Sequence, residues 1–267
     1  MNKTPIKVAV IVPYKNAEPW LARCLKSIDE RFAVYPVNDH STDRSEDIIN
    51  ELGIRSLCVM TTLGGVARAR NLGVDAALLG SCDYITFLDA DDELTPDAWE
   101  QINGAIREAP DAPIIQLNHY IERNGSKSFR FYNRRGTYPQ SSPPKFWVSV
   151  VNKIYKAELI KGKPYRLIFD TELRHGEDEL FNLEAMAKAK SGIYCTERAA
   201  YIHHKDNPNS LSKSSTHGDL IGEQNALLDF LEYRGQHNPE LCEAIRKRQL
   251  ELWDNPTYRR IFGGKSK

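Results

Sequence analysis

The sequence predicts a doubly wound α/β fold from three observations: apolar runs that read as strands buried on both faces, helical stripes between them, and charged residues placed just after the strands. Val8 to Val12 (VAVIV) form the first run, with no polar residue to mark an exposed face, as in a parallel sheet. Ala17 to Ile28 then place Trp20, Leu21, Cys24, Leu25 and Ile28 on one helical stripe, and Ala33 to Val37 read as the second strand. STDRSEDIINEL opens the next helix, with Asp43 and Glu46 spaced as a capping box. Ser56 to Met60 supply a strand, Val66 to Leu79 a helix, and Tyr84 to Leu88 a strand that ends in Asp89, Ala90, Asp91 and Asp92. Pro96 starts a helix running to Glu108. A sheet of this kind binds its ligands in the crevice at the carboxyl ends of the strands.

Beyond residue 110 the rhythm changes. Ile114 to Ile121 and Ser128 to Tyr132 flank Asn124-Gly125, the pattern of a β-hairpin, so antiparallel strands are expected to join the sheet. PQSSPPK (139–145) reads as a loop, Glu177 to Lys188 as a helix, and Gly192 to His203 as one or two strands. From Asp219 to Glu232 and from Pro239 to Trp253 apolar residues return at helical spacing. The expected organisation is a main domain over 1–212, whose character changes between a first part (1–110) and a second (111–212), followed by a helical C-terminal extension over 213–267.

At 267 residues and 41% hydrophobic content the chain can bury a full core. Its 36 Lys and Arg balance its 36 Asp and Glu, so no net field selects nucleic acid or an anionic membrane. Cys24, Cys58, Cys82, Cys195 and Cys242 lack the close pairing of a zinc site, and their odd number fits poorly with a closed disulfide framework, so reduced thiols in a cytoplasmic protein are expected. The first apolar run is short, ends at Pro13 and has no small-residue cleavage site, which fits a core strand and not a signal peptide. No stretch approaches the roughly 20 apolar residues of a membrane span, leaving peripheral contact as the form any membrane association would take.

Three segments carry chemistry. FLDADDEL gathers Asp89, Asp91 and Asp92 at the end of a strand, and carboxylates this close repel unless a cation or donor groups compensate them. Mn²⁺ or Mg²⁺ bridging phosphate oxygens is one solution; a solvated acidic turn is the other. VNDHSTDRS puts Asp39 just after the second strand, where a carboxylate accepts from a base N–H or a ribose hydroxyl; an Asx-turn is the plainer role, better suited to Asp43. In GGVARARNLG the glycines permit close backbone approach, and Arg68 or Arg70 near a helix start fits a pyrophosphate or an ordinary exposed arginine. No GxGxxG or GxxxxGK[ST] pattern occurs, so a dehydrogenase or P-loop enzyme lacks its phosphate cradle.

VAVIVPYKNAEPWLARCLKSI, VNDHSTDRS, ARNLGVDAA and YITFLDADDEL, in this order over residues 6 to 100, resemble the family 2 inverting glycosyltransferases of GT-A fold. The resemblance implies a mixed sheet flanked by helices and a nucleotide-diphospho-sugar as co-substrate, with UDP as the expected nucleotide. It implies that Pro13, Tyr14 and Asn16 pack on the base and that Asp39 holds base or ribose. It further implies that Arg70 meets nucleotide or pyrophosphate, Asp89 the ribose or phosphate side, and Asp91 the divalent metal. Two departures stand out: Asn38-Asp39 replaces a pair of acids frequent in the family, and the segment between Ser27 and Val37 is short.

Downstream, RHGEDELF resembles the family's Glu-Asp motif at a helix start, implying Asp178 as general base and Glu177 as its support or as an acceptor-orienting group. The helix dipole at that position is expected to hold Asp178 ionised. WVSVVNKIYKAEL resembles the segment lining the acceptor cleft, with Asn152 and Lys153 facing it. YIHHKDNPNSLS resembles the family strand and loop that close over the pyrophosphate, where one of His203 and His204 is expected to complete the metal site or donate to the leaving group, since alternation along a strand turns only one inward; His204 is the expected ligand. The activity so implied is transfer of a sugar with inversion onto a saccharide or lipid-linked saccharide. Arg123, Lys127, Arg130, Arg134 and Arg135 alternate with Phe129, Phe131 and Tyr132, which keeps open a nucleic acid acceptor with a modified base. A non-catalytic nucleotide-sugar binding module and a nucleotidyltransferase are the rival classes; the first has no need of a base at Asp178, and the second would want a basic glycine-rich loop where VPYKNAEPW stands.

Overall fold

The computed structural model describes residues 5–59, 63–145, 149–163, 165–174, 176–207 and 242–243. In chain order the elements are β1 (Val8–Tyr14), α1 (Glu18–Lys26), β2 (Ala33–Asn38), α2 (Ser45–Glu51), β3 (Leu57–Cys58), α3 (Val66–Leu79), β4 (Tyr84–Phe87) and β5 (Glu93–Leu94). They continue with α4 (Ala98–Glu108), β6 (Ile114–Arg123), β7 (Ser126–Arg130), β8 (Gly136–Tyr138), β9 (Lys153–Lys156), α5 (Ala157–Lys161), α6 (Glu177–Ala189) and β10 (Ile193–His204). The helical extension expected over 213–267 lies outside the described residues apart from Cys242 and Glu243. All five cysteines are free thiols, and only Cys58 is exposed. No helix among the described residues is long and apolar enough to cross a membrane.

One mixed sheet runs in the order β3-β2-β1-β4-β9-β6-β10-β5, with β7 on β6 and β8 on β10. β1 is parallel to β2 and β4, and β10 is parallel to β6. β9 is antiparallel to both β4 and β6, so β6 points the same way as β4. The carboxyl ends of β1, β2, β4, β6 and β10 therefore share one edge of the sheet, and everything chemically distinctive in the sequence sits along it.

The alternation of β1 sorts its residues into two helical layers. Val8, Val10, Val12 and Tyr14 pack with Leu21, Cys24 and Leu25 of α1 and with Ile102, Ala105 and Ile106 of α4. Ala9 and Ile11 pack on the other face with Ala69, Val74 and Ala77 of α3 and the core of α6. That is why the run has no polar position: both faces are covered. The hairpin forms as expected, with Asn124 at φ 50° and Gly125 at φ 73°, the two left-handed residues of a type I′ turn.

Two local expectations are corrected. The capping box at α2 does not form: Asp43 accepts from Ser45 N (3.0 Å) and Glu18 N (2.9 Å), but Glu46 turns into the protein. Tyr14 and Asn38, side by side at the ends of β1 and β2, present buried donors there, and Glu46 satisfies them. The short run Lys153–Lys156, read as part of a cleft lining, is instead the antiparallel strand β9.

Gly73 in α3 lies against β1 so closely that a methyl group on it would overlap Ile11 Cγ2 and crowd Val37. Gly73→Ala gains about 1 kcal/mol of helix propensity, but forcing apart a β-branched core contact costs more, typically 1–3 kcal/mol. A net destabilisation of about 1 kcal/mol is expected in urea unfolding; an unchanged or higher midpoint would show that α3 does not pack on β1 as described.

Candidate active site

The end of the crevice at β1 and β2 is built from two stitched loops. Asn16, at φ 48°, accepts from Thr42 N (2.7 Å) and donates its backbone N–H to Ser41 Oγ (3.1 Å). Ala17 N donates to Ser45 Oγ (2.9 Å). Beneath them Tyr14 donates its hydroxyl to Glu46 (2.5 Å), which also accepts from Asn38 Nδ2 (2.8 Å) and Ser56 Oγ (2.9 Å). Burial and the Glu46 carboxylate raise the Tyr14 hydroxyl far above its ordinary pKa, so it stays a donor. Of the three residues expected to pack on a base, Pro13 and Tyr14 are buried within β1 and only Asn16 is exposed. Tyr14 thus supports the turn from below.

Asp39, 5% exposed, takes the Gly65 N–H on both carboxylate oxygens (2.9 Å each), with His40 Nδ1 at 3.3 Å and Lys15 Nζ at 3.8 Å. A side chain on Gly64 would stand 2.6 Å from Asp39 Oδ1. The glycine pair therefore serves close approach to Asp39, fixing that carboxylate at the lip of β2. The Asx-turn falls to Asp43.

At the centre Arg70, 4% exposed, joins three elements. Its Nη1 donates to Glu177 Oε1 (2.8 Å) and Asp178 Oδ1 (2.7 Å), and its Nη2 to Asp89 Oδ1 (3.3 Å). The guanidinium lies 5.4 Å from the ring centre of Phe169, which is stacked on Phe181 (4.1 Å) and pinned by reciprocal bonds with the Asn71 side chain (2.9 and 2.8 Å). Burial opposes the Arg70 charge, but Asp178, Asp89 and Glu177 outweigh it and raise its pKa further. Arg70, expected to meet the nucleotide, is committed here to protein carboxylates through both terminal nitrogens.

One cation does not neutralise three anions. Burial, together with Asp92, Asp91 and Asp178, pushes the Asp89 carboxyl up to about 7 despite Arg70. Burial and Glu177 push Asp178 up to about 6, against Arg70, the Val150 N–H and Lys153. Desolvation outweighs the α6 terminus, so the Asp178 carboxyl stands above its ordinary value, though it is still ionised at neutral pH. Glu177 and Asp178 follow Gly176, whose φ of 83° makes the entry into α6.

The acidic run after β4 divides its duties. Asp92, fully buried, accepts from His204 N (2.7 Å), His203 Nδ1 (2.9 Å) and the Tyr201 hydroxyl, and so locks β10 to the run. Asp91 accepts from Asn207 Nδ2 (2.7 Å) through its side chain and from Arg23 Nη2 (2.6 Å) through its carbonyl. Burial and then the Asp92 charge raise the Asp91 carboxyl. Alternation along β10 turns Tyr201 and His203 to this cluster; the His204 ring goes to Glu93 (2.7 Å) on the other side. The histidine facing the acidic run is thus His203, correcting the choice of His204. Against burial, the Asp92 bond raises its pKa. Among the described residues no three His, Cys, Asp or Glu form a ready cage for a metal.

Asn152 and Lys153, expected to face an acceptor cleft, are both buried. Asn152, at φ 58°, donates to Leu117 O (2.7 Å). Lys153 donates to Ser149 O, and burial pushes its ammonium down to about 7 despite Asp178. Four contributors escaped sequence reasoning: Glu46, Asn207, Phe169 and Asp92 in its locking role. Only Asn207, in the polar run after the histidines, left a trace to follow.

Residues 9–170 match the family model for glycosyl transferase family 2. The chain is 27% identical over 224 residues to the glycosyltransferase EpsJ of Bacillus subtilis, covering 77% of this chain and 63% of EpsJ. It is 24% identical over 210 residues to the poly(ribitol-phosphate) beta-N-acetylglucosaminyltransferase TarS of Staphylococcus aureus, covering 75% of this chain and 36% of that protein. It therefore spans less than two thirds of the length of either relative. Crystal structures of residues 1–349 of S. aureus TarS share the fold: with UDP at TM-score 0.75 and 20% identity (98% of this chain, 76% of that one). The complex with UDP-GlcNAc gives TM-score 0.75 and 21% identity (93% and 73%). Glucosyl-3-phosphoglycerate synthase of Mycobacterium tuberculosis, solved with Mg²⁺ and UDP, superposes at TM-score 0.58 and 15% identity over 84% of this chain and 79% of that one. The sheet, with its helices on both faces, is a GT-A fold, and the chain belongs to glycosyl transferase family 2.

Proposed function

We propose that this chain transfers a sugar with inversion from a UDP-sugar to a hydroxyl of a saccharide or lipid-linked saccharide, with Asp178 as the general base. The observation that carries the proposal is the Arg70 junction, which places Asp89 from the end of β4 and Glu177-Asp178 from the start of α6 around one guanidinium. An inverting transfer needs both groups at one place: a site for the diphosphate and a base across the reacting carbon from it. UDP as the donor nucleotide is supported by the UDP complexes of the two structural relatives.

Asp178 suits the base. With its carboxyl held at about 6, it is ionised at neutral pH yet basic enough to take a proton from an acceptor hydroxyl as that hydroxyl attacks. Glu177 and Arg70 fix its orientation from one side. Asp39 and Asn16 stand at the nucleotide end and would orient base and ribose.

The acidic run fits a divalent cation. Part-buried, mutually repelling oxygens at Asp89 and Asp91 are the hard donors that Mn²⁺ or Mg²⁺ takes in small number alongside phosphate. Asp91 would hold the ion, with Asp89 beside it and His203 the nearer of the two histidines. Bound there, the cation would supply charge stabilisation to the departing diphosphate.

Calorimetry with UDP, and with GDP, CDP and dTDP as controls, tests the donor site: UDP is expected to bind in the presence of Mn²⁺ and to lose that metal-dependent binding in Asp91→Asn. Binding of none of them would remove the donor reading. Asp178→Asn should keep UDP binding while turnover falls about 10²- to 10⁴-fold, the usual share of a general base. Because the base must be deprotonated, kcat/KM should fall about tenfold per unit below pH 6. A flat acid limb, or full activity in Asp178→Asn, would exclude Asp178.

A further inference from the structure

The β6–β7 hairpin is not used by the site described above, and its composition and placement are unusual. Residues 123–138 hold Arg123, Lys127, Arg130, Arg134 and Arg135 and no acid. Every residue of β7 is exposed, as are Arg123 and Phe131. Among the described residues Arg135 is matched, by Glu108 at 2.7 Å, and the other four bases form no ion pair. β7 runs along β6 on the side that β9 occupies earlier in the strand, while β6 stays paired with β10 as far as Glu122, so among the described residues it is the outer edge of β7 that is free.

The ribbon projects from the edge of the sheet that carries the acidic run, because β6 points the same way as β4 and β10. Cross-strand pairing of Arg130 with His119 places Arg130 on the His119 face of the ribbon, and the His119 and His203 ring centres are 6.4 Å apart. Three consecutive residues then bind the hairpin to the site. Lys205 N donates to Glu122 O (3.0 Å), Asp206 accepts from Asn124 N at the turn (2.9 Å), and Asn207 donates to Asp91 (2.7 Å). Asp206 is engaged by the turn, and Glu122 lies on the opposite face of the ribbon, directly across from Lys127.

We infer that this hairpin is the docking arm for a polyanionic acceptor, a phosphodiester-linked polyol chain whose phosphates meet Arg123 and Arg130 on the His119 face of the ribbon while a hydroxyl of the chain reaches Asp178. The inference rests on the reading of the site as sugar transfer to a hydroxyl. Charge complementarity selects the occupant: unmatched bases on an exposed ribbon bind a repeating anion and gain nothing from a neutral glycan. Stacked bases would need successive free ring faces. Here Phe129 is packed on Tyr120 (5.4 Å), whose ring also carries Lys127 at 5.8 Å, which leaves a charged surface with few platforms. Two exposed phenylalanines are too little apolar area for a membrane anchor.

The test uses the full chain and a fluorescently labelled poly(glycerol phosphate) oligomer, with a neutral dextran oligomer and single-stranded DNA as comparisons. Binding of poly(glycerol phosphate) should weaken as salt rises. The double variant R123Q/R130Q should lose about tenfold in affinity and flatten the log–log salt slope by about 1.4, at ~0.7 per neutralised phosphate of a flexible polyanion. Calorimetric UDP binding should be the same in both proteins, which also shows that the variant is folded. No binding, equal binding of dextran, or an unchanged affinity in the variant would overturn the inference, and tighter binding of DNA would reassign the ribbon to nucleic acid. Loss of UDP binding in the wild type, with hairpin-dependent binding of poly(glycerol phosphate) intact, would overturn the donor reading and leave the arm standing as a polyanion site.

Discussion

The contact between the Arg70 guanidinium and the carboxylates of Asp89, Glu177 and Asp178 is the constraint on which the rest of the site depends. These residues are up to 108 positions apart in the chain, and they meet because α3, the end of β4 and the start of α6 converge at one edge of the sheet. A buried cation is costly unless its hydrogen bonds are nearly complete, and here two of its three nitrogens are paired while an aromatic ring covers its face. Its nearest neighbours carry more negative charge than it can cancel. That imbalance, set in a poorly solvated place, raises Asp89 and Asp178 together and leaves the site ready for further positive charge.

The fold produces this convergence through the direction of its strands. β6 returns in the direction of β4 through the α4 crossover, and β9 fills the place between them as an antiparallel insert. β10, parallel to β6, then delivers His203 to Asp92 and the chain beyond it to Asp91. Asp92 is a structural residue in the middle of a functional sequence: its bonds to Tyr201, His203 and the His204 backbone hold the acidic run against β10. The two halves expected from the sequence are therefore joined at their chemistry as well as through the sheet.

Much of this architecture was legible in the residues. The apolar parity of β1, the stripe of α1, the limits of α3 and the Asn124-Gly125 hairpin follow from periodicity and turn chemistry, which are local. Strand β9 was not legible because Lys153 and Lys156 at its ends read as polar, and only tertiary packing buries Lys153. The positions of Asp39, Arg70, Asp89 and Asp178 along the crevice were anticipated, but their partners were not. Glu46 looked like a capping residue because its spacing from Asp43 was right; the competing donors at Tyr14 and Asn38 come from strands that are neighbours only in space. The raised Asp178 carboxyl was not legible for a related reason, since a helix terminus is visible in sequence and desolvation is not. His204 yielded to His203 because strand parity fixes which one turns inward but not which face is inward.

The central claim is that a base opposite the departing diphosphate drives the transfer, and stereochemistry reads that most directly. Time-resolved proton NMR of whichever α-configured UDP-sugar the protein hydrolyses, in the presence of Mn²⁺, would identify the first anomer of the free sugar released to water before it mutarotates. The account predicts that the β anomer appears first and that Asp178→Asn abolishes its appearance. First release of the α anomer would mean retention, and would contradict the role given to Asp178.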